Sequence, residues 1–223
     1  MPMTDANRGK LRLMLVTDGT HRPDLPVRIE AALKGGVRAV QMRERELPPA
    51  EFLALALALR ELTRRHDALL LVNGDADAAM IAGADGVHLG WQSPPIAAVR
   101  AALGPARLIG VSTHSPAEAA AAVEAGADYV ALGPIFDTPS KRGLIEPLGL
   151  DAVARAAAGL ARSGAPLIAI GGIAPEHAAG LRKAGARGVA VIRGVMNAPD
   201  PEAAVRHYLA NWTVDGAAPG ITQ

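Results

Sequence analysis

The chain has no cysteine, which excludes disulfides, thiolate metal sites and cysteine nucleophiles. It has only six aromatic residues (two each of Phe, Trp and Tyr), too few for a platform on which nucleic-acid bases could stack. It has no excess of one charge. Lys plus Arg is 23 and Asp plus Glu is 22, so neither nucleic acid nor an anionic membrane surface is an expected partner. No apolar run approaches the roughly 18 residues of a spanning helix. The first ten residues are polar and show no signal-peptide core, so a cytoplasmic setting is expected.

What the sequence does have is alternation. Short runs rich in Val, Ile and Leu occupy 11–17, 37–43, 68–73, 85–89, 107–112, 128–132, 166–170 and 187–192, almost free of internal charge. Strands buried on both faces read this way. Between them lie Ala/Leu-rich helical stretches near 24–34, 49–65, 76–82, 94–103, 116–125, 149–161, 175–184 and 200–211. Residues 51–60 (EFLALALALR) alternate like a strand, but the run continues to Arg65 and Phe52, Leu55, Ala56, Leu59 and Leu62 keep helical spacing. Eight strands alternating with eight helices in 223 residues predict one α/β domain over 1–223, a single (β/α)8 TIM barrel with its core at about 11–211. Residues 1–9 and 213–223 show no periodicity and read as loose tails.

A weak repeat supports this reading. Ala-Gly-Ala-Asp at 82–85 and 125–128, Ala-Gly-Ala-Arg at 184–187 and Lys-Gly-Gly-Val at 34–37 each place glycine where a helix ends and a strand begins. Pro49, Pro94, Pro116 and Pro175 mark helix starts.

In such barrels the site forms where the strands end. The second strand ends in Gln41-Met42-Arg43-Glu44-Arg45, and strand alternation puts Gln41, Arg43 and Arg45 on one face as an anion clamp, or else as part of a solvated charged loop. Asn73, His88, Ser112 and His114 lie at the ends of the third, fourth and fifth strands. The longest loop, about 133–148, carries Thr138, Ser140 and Lys141, two hydroxyls and an ammonium suited to pyrophosphate oxygens. Gly171-Gly172 and Ile192-Arg193-Gly194 follow the seventh and eighth strands, where a phosphate-binding cradle is expected. The ligand is expected to be a small phosphorylated molecule, and self-association is left open.

Taken together, Gln41–Arg45, Ala84–Gly90, Gly133–Lys141 and Ile170–Ile173 resemble the thiamine-phosphate synthase and thiazole tautomerase superfamily from about residue 11 to 211. For the synthase, the resemblance implies that hydroxymethylpyrimidine pyrophosphate is joined to thiazole phosphate with release of pyrophosphate. It implies that Gln41, Arg43, Arg45, Asn73, Ser112 and Lys141 face the pyrophosphate substrate, with Ser112 and Lys141 as catalytic groups. Thr138, Ser140, Gly171, Gly172 and the end of the eighth strand would hold the thiazole phosphate; His88 is a further candidate ligand contact from its place at the rim, not from the resemblance. The family's small hydroxyl residue at the eighth strand's end is here Arg193. Its two Mg²⁺-binding aspartates are here Gly74 and Ser93, so Mg²⁺ would arrive on the substrate pyrophosphate without protein ligands. Gly74 and Ser93 resemble the tautomerase branch, whereas Pro134 stands where that branch has a catalytic histidine. Three readings follow: a synthase-type transferase, a tautomerase-like isomerase, and a non-catalytic binder of thiazole or thiamine phosphate.

Overall fold

The computed structural model describes residues 3–138 and 146–212. Eight parallel strands close into a barrel in sequence order: β1 (Leu13–Val16), β2 (Ala39–Met42), β3 (Leu69–Asn73), β4 (Gly86–Leu89), β5 (Leu108–Thr113), β6 (Tyr129–Leu132), β7 (Leu167–Ile170) and β8 (Gly188–Val191). β8 returns to β1 with Val189 opposite Leu13. The helices around it are α1 (Asp5–Lys10), α2 (Leu25–Gly35), α3 (Pro49–Arg65), α4 (Ala76–Ile81), α5 (Ile96–Leu103), α6 (Pro116–Glu124), α7 (Gly149–Leu160), α8 (Ala178–Lys183), α9 (Arg193–Met196) and α10 (Pro201–Trp212).

Period-two alternation sorts each strand into two cores. Leu13, Leu15, Val40, Met42, Leu70 and Val72 face the helices and pack on residues such as Ile29, Leu33, Leu59 and Leu103. Met14, Val16, Ala39, Leu71, Leu108, Tyr129, Ile168 and Ala190 fill the lumen. The segment 51–60 lies within α3, with Ala56, Leu59 and Leu62 buried.

The repeated Ala-Gly-Ala-Asp has a physical explanation beyond its glycine. Gly36, Gly83, Gly126 and Gly185 all take positive φ just past a helix. The Asp85 carboxylate also accepts from the Leu70 N–H at 2.8 Å and pairs with Arg60 at 2.8 Å. Asp128 does the same with the Ile109 N–H at 2.7 Å and Arg100 at 2.6 Å. Each aspartate thus ties the start of one strand to its neighbour and to a helix at the barrel's lower end.

Four expectations need correction. The amino-terminal tail contains α1, capped by the Thr4 hydroxyl, which accepts from the Asn7 N–H at 3.2 Å. The helix expected at 175–184 opens as a 3-10 turn, Pro175–His177, before α8 begins. Pro94 lies ahead of α5, whose N-cap is Pro95. The four-residue α9 was not expected. The carboxy-terminal tail, 213–223, lies outside the described residues.

Candidate active site

The upper ends of β2 to β5 carry a polar ring. Gln41, almost wholly buried on β2, donates through Nε2 to Asn73 Oδ1 at 3.1 Å. β2 ends at Met42, so strand alternation stops there. Arg43 is half-buried, and its N–H donates to the Thr17 hydroxyl at 2.8 Å. Among the described residues no carboxylate pairs with its guanidinium. Burial, then the nearby Arg45, lower the Arg43 pKa, and Glu44 opposes them. Arg45 is exposed on the following turn, so proximity to Arg43 rather than a shared strand face gives the positive field.

Glu44, read in the sequence as part of a charged run, is buried. Its carboxylate accepts from the Gly19 and His21 N–H groups at 3.2 and 3.4 Å and faces His21 Nδ1 at 3.2 Å. Arg22 donates to the Met196 carbonyl at 2.6 Å and pairs with Asp18 and Asp24. The β1–α2 loop is therefore fastened at both sides of the mouth.

His88 lies deeper than expected. It is 2% exposed; Nδ1 is 2.9 Å from the Tyr129 hydroxyl and Nε2 is 2.8 Å from Ser112 Oγ. Burial pulls its pKa down to about 4, so the ring is neutral at pH 7. Both ring nitrogens are engaged, and Ser112 stands between His88 and the mouth. His114 is turned to Glu118 instead, with Nδ1 3.6 Å from its carboxylate.

Across the mouth, the loops after β6, β7 and β8 meet. Arg193 Nη2 donates to the Thr138 hydroxyl at 2.7 Å. Gly171 and Gly172 have φ of +97° and +64°. A Cβ on Gly171 would lie 2.6 Å from Pro134 Cα, and one on Gly172 would lie 2.5 Å from the Asp137 carbonyl oxygen. Both glycines therefore let the β6 loop approach, a requirement separate from any anion. Gly194 is set by its neighbour: its Cβ would meet the Tyr208 hydroxyl at 2.2 Å, and that hydroxyl donates to the Ile173 carbonyl at 2.9 Å. Ile192 is half-buried and packs on the lumen core. The expected helix N-terminus after β7 is already partly satisfied, because the Ala174 N–H donates to His177 Nδ1 at 3.1 Å. Ser140 and Lys141 lie outside the described residues.

The donor set does not fit the Mg²⁺ that the family resemblance implies. Gly74 offers no side chain, and Ser93 Oγ accepts from the Gly90 N–H at 2.9 Å. Asp75 caps α4 by accepting from the Ala78 N–H at 2.8 Å, and Asp77 is exposed in that helix's first turn. Among the described residues no three His, Cys, Asp or Glu side chains cluster. No helix among the described residues is long and apolar enough to cross a membrane.

The sequence matches the family described as thiamine monophosphate synthase over residues 13–195. It is 46% identical over 200 residues to the thiamine biosynthesis bifunctional protein of Symbiobacterium thermophilum, covering 90% of this chain and 40% of that one. The chain thus spans less than half the length of that relative. It is 43% identical over 209 residues to the thiamine-phosphate synthase of Chlorobium luteolum, covering 93% of this chain and 96% of that one. The structure superposes on the thiamine phosphate pyrophosphorylase of Pyrococcus furiosus with a TM-score of 0.83 and 35% identity, over 92% of this chain and 96% of that one. Match, identity and barrel agree: this chain belongs to the thiamine monophosphate synthase family.

Proposed function

We propose that the chain is a transferase that joins hydroxymethylpyrimidine pyrophosphate to thiazole phosphate and releases pyrophosphate. The observation that carries this reading is the half-buried Arg43, without a carboxylate partner among the described residues, beside the Gln41–Asn73 pair. A desolvated cation so placed favours a ligand anion, and favours it more as charge grows on that anion. The bond between the pyrimidine methylene and the pyrophosphate oxygen breaks, and its electron pair leaves with the pyrophosphate. Arg43 and Arg45 stabilise that leaving charge. The Gln41 and Asn73 amides hold the pyrimidine substrate, and Ser112 donates to the pyrophosphate. The thiazole nitrogen then gives its lone pair to the methylene carbon, so no protein base is required.

The thiazole phosphate lies across the mouth, against Gly171, Gly172 and Arg193, with Thr138 holding the Arg193 guanidinium in place. Ser140 and Lys141 complete the two anion sites on this reading. A cytoplasmic enzyme with small phosphorylated substrates follows. Family membership supports the transferase, and Pro134 offers no proton for the isomerase. Incubation with both precursors should give thiamine phosphate and pyrophosphate in equal amounts. Rearrangement of the thiazole carboxylate phosphate alone, without coupling, would replace this reading with the isomerase.

The metal position gives a second expected result. The paired change Gly74→Asp with Ser93→Asp should lower the half-saturating Mg²⁺ concentration for turnover by about tenfold or more, since Mg²⁺ is usually held by one or two carboxylates. A Cβ at Gly74 meets nothing within 4 Å, and aspartate tolerates its φ of +74°. An unchanged Mg²⁺ titration would show that another carboxylate, such as Asp75, already serves.

A further inference from the structure

The lumen beneath the mouth holds three neutral polar groups in a row. Tyr129, fully buried on β6, lies across Gly110 of β5, where a Cβ would be 1.9 Å from its Cζ. Its hydroxyl meets His88 Nδ1 at 2.9 Å, and His88 Nε2 meets Ser112 Oγ at 2.8 Å. Burial, and then the Asp128 carboxylate, push the phenol above its ordinary range, so it keeps its proton.

Two proton orders satisfy these distances. In one, the Tyr129 O–H donates to Nδ1, the Nε2–H donates to Ser112 Oγ, and the Ser112 O–H is left to donate into the mouth. In the other, every donor is reversed, and Ser112 presents only lone pairs to the mouth. The choice is made at the buried end. Among the described residues, the Tyr129 hydroxyl has His88 Nδ1 as its one partner, so the reversed order strands a buried O–H. A buried donor left without an acceptor bears its full desolvation cost. The reversed order would also aim lone pairs of Ser112 at an anion held by Arg43. Both considerations select the first order.

We propose that Tyr129 is a positioning residue: it fixes His88 as the Nε2–H tautomer and thereby turns the Ser112 hydroxyl outward as a donor to a pyrophosphate oxygen. The proposal rests on the reading above that Ser112 faces pyrophosphate. It explains why a histidine at this level of the barrel is neutral and held at both nitrogens. It also explains why β5 has glycine at 110, which leaves room for the tyrosine ring that reaches His88.

The tautomer is read on the unaltered chain by long-range ¹⁵N–¹H correlation NMR, with His88 assigned by loss of its pattern in His88→Gln. The expected pattern has the proton on Nε2. Tyr129→Phe keeps the ring over Gly110 and removes only the hydroxyl. It should weaken the binding of inorganic pyrophosphate by about tenfold, the scale of one neutral hydrogen bond. In a Ser112→Ala background the same change should alter affinity by less than about twofold, because a residue acting through Ser112 has nothing left to act on. A proton on Nδ1 in the unaltered chain would overturn the proposal. So would a tenfold loss that persists without the Ser112 hydroxyl. Failure to form thiamine phosphate would count against the transferase reading alone, since tautomer and pyrophosphate affinity are both measured without turnover.

Discussion

Arg43→Met should reduce kcat/KM for the pyrophosphate-bearing substrate by about 10²–10³-fold, the usual effect of removing a donor aimed at developing negative charge. The barrel should survive the change with its thermal midpoint unaltered or raised. Arg43 is half-buried without an ion-pair partner among the described residues, and burial already disfavours its charged form. Replacing such a charge by an apolar side chain of similar length relieves that penalty. Stability and activity should therefore move apart, which a purely structural arginine would not allow. Arg43→Lys should fall between the two, because it keeps the charge and loses the planar pair of donors. Circular dichroism melting with initial-rate kinetics separates the cases. A threefold loss or less in Arg43→Met would remove Arg43 from the pyrophosphate site.

The barrel was legible because buried parallel strands are continuous apolar runs, and the expected and observed strand ends differ by two residues or fewer. Helix α3 was legible despite its alternating start because its length and its Ala56, Leu59 and Leu62 spacing exceed what a strand sustains. The two missed helices lack those signals. α1 has six residues and buries none of them, so no apolar period exists to be read. α9 has four residues, about one turn, too short for any period. At the candidate site, residue types indicated that polar groups gather at the strands' carboxyl ends, but not their depth or partnership. His88 and Tyr129 are 41 positions apart, and only closure of the sheet brings their side chains to 2.9 Å. Glu44 looked solvated because its partners are backbone N–H groups of another loop, which carry no sequence signature. Arg193 is an unusual residue at its position against the family pattern. That it reaches Thr138 became visible only when the β6 and β8 loops stood side by side.

Gly172→Val should abolish coupling and lower the thermal midpoint by about 5–15 °C, a larger disturbance than crowding of an anion alone would bring. A glycine kept only for the anion would let this change leave the fold intact and weaken only phosphate binding; the backbone geometry at Gly172 argues for a larger effect. With φ at +64°, a β-branched side chain is held in a left-handed conformation that costs about 1–2 kcal/mol. Its Cβ would lie 2.5 Å from the Asp137 oxygen and 2.8 Å from Phe136 Cβ, overpacking that adds about 1–3 kcal/mol. For a domain of this size each kcal/mol is about 2–4 °C. The strain falls where the β6 loop is joined to the end of β7. There the Ile135 N–H donates to the Ile170 carbonyl at 2.9 Å and the Phe136 N–H to the Gly171 carbonyl at 3.0 Å. Phe136 in turn packs on His177 with ring centroids 4.0 Å apart. Pushing the loop away moves Thr138 off Arg193 and displaces the segment that leads to Ser140 and Lys141. The Gln41–Asn73 pair stands on β2 and β3, across the barrel from this junction at β6 and β7. Affinity for inorganic pyrophosphate should therefore fall less than affinity for thiazole phosphate, as two calorimetric titrations on the same variant would show. Thr138→Val provides the contrast, since it removes the hydroxyl that Arg193 holds while leaving the backbone free of strain. An unshifted thermal midpoint in Gly172→Val, with only thiazole phosphate binding lost, would mean that the glycine is there for the anion and that the loop contact is incidental.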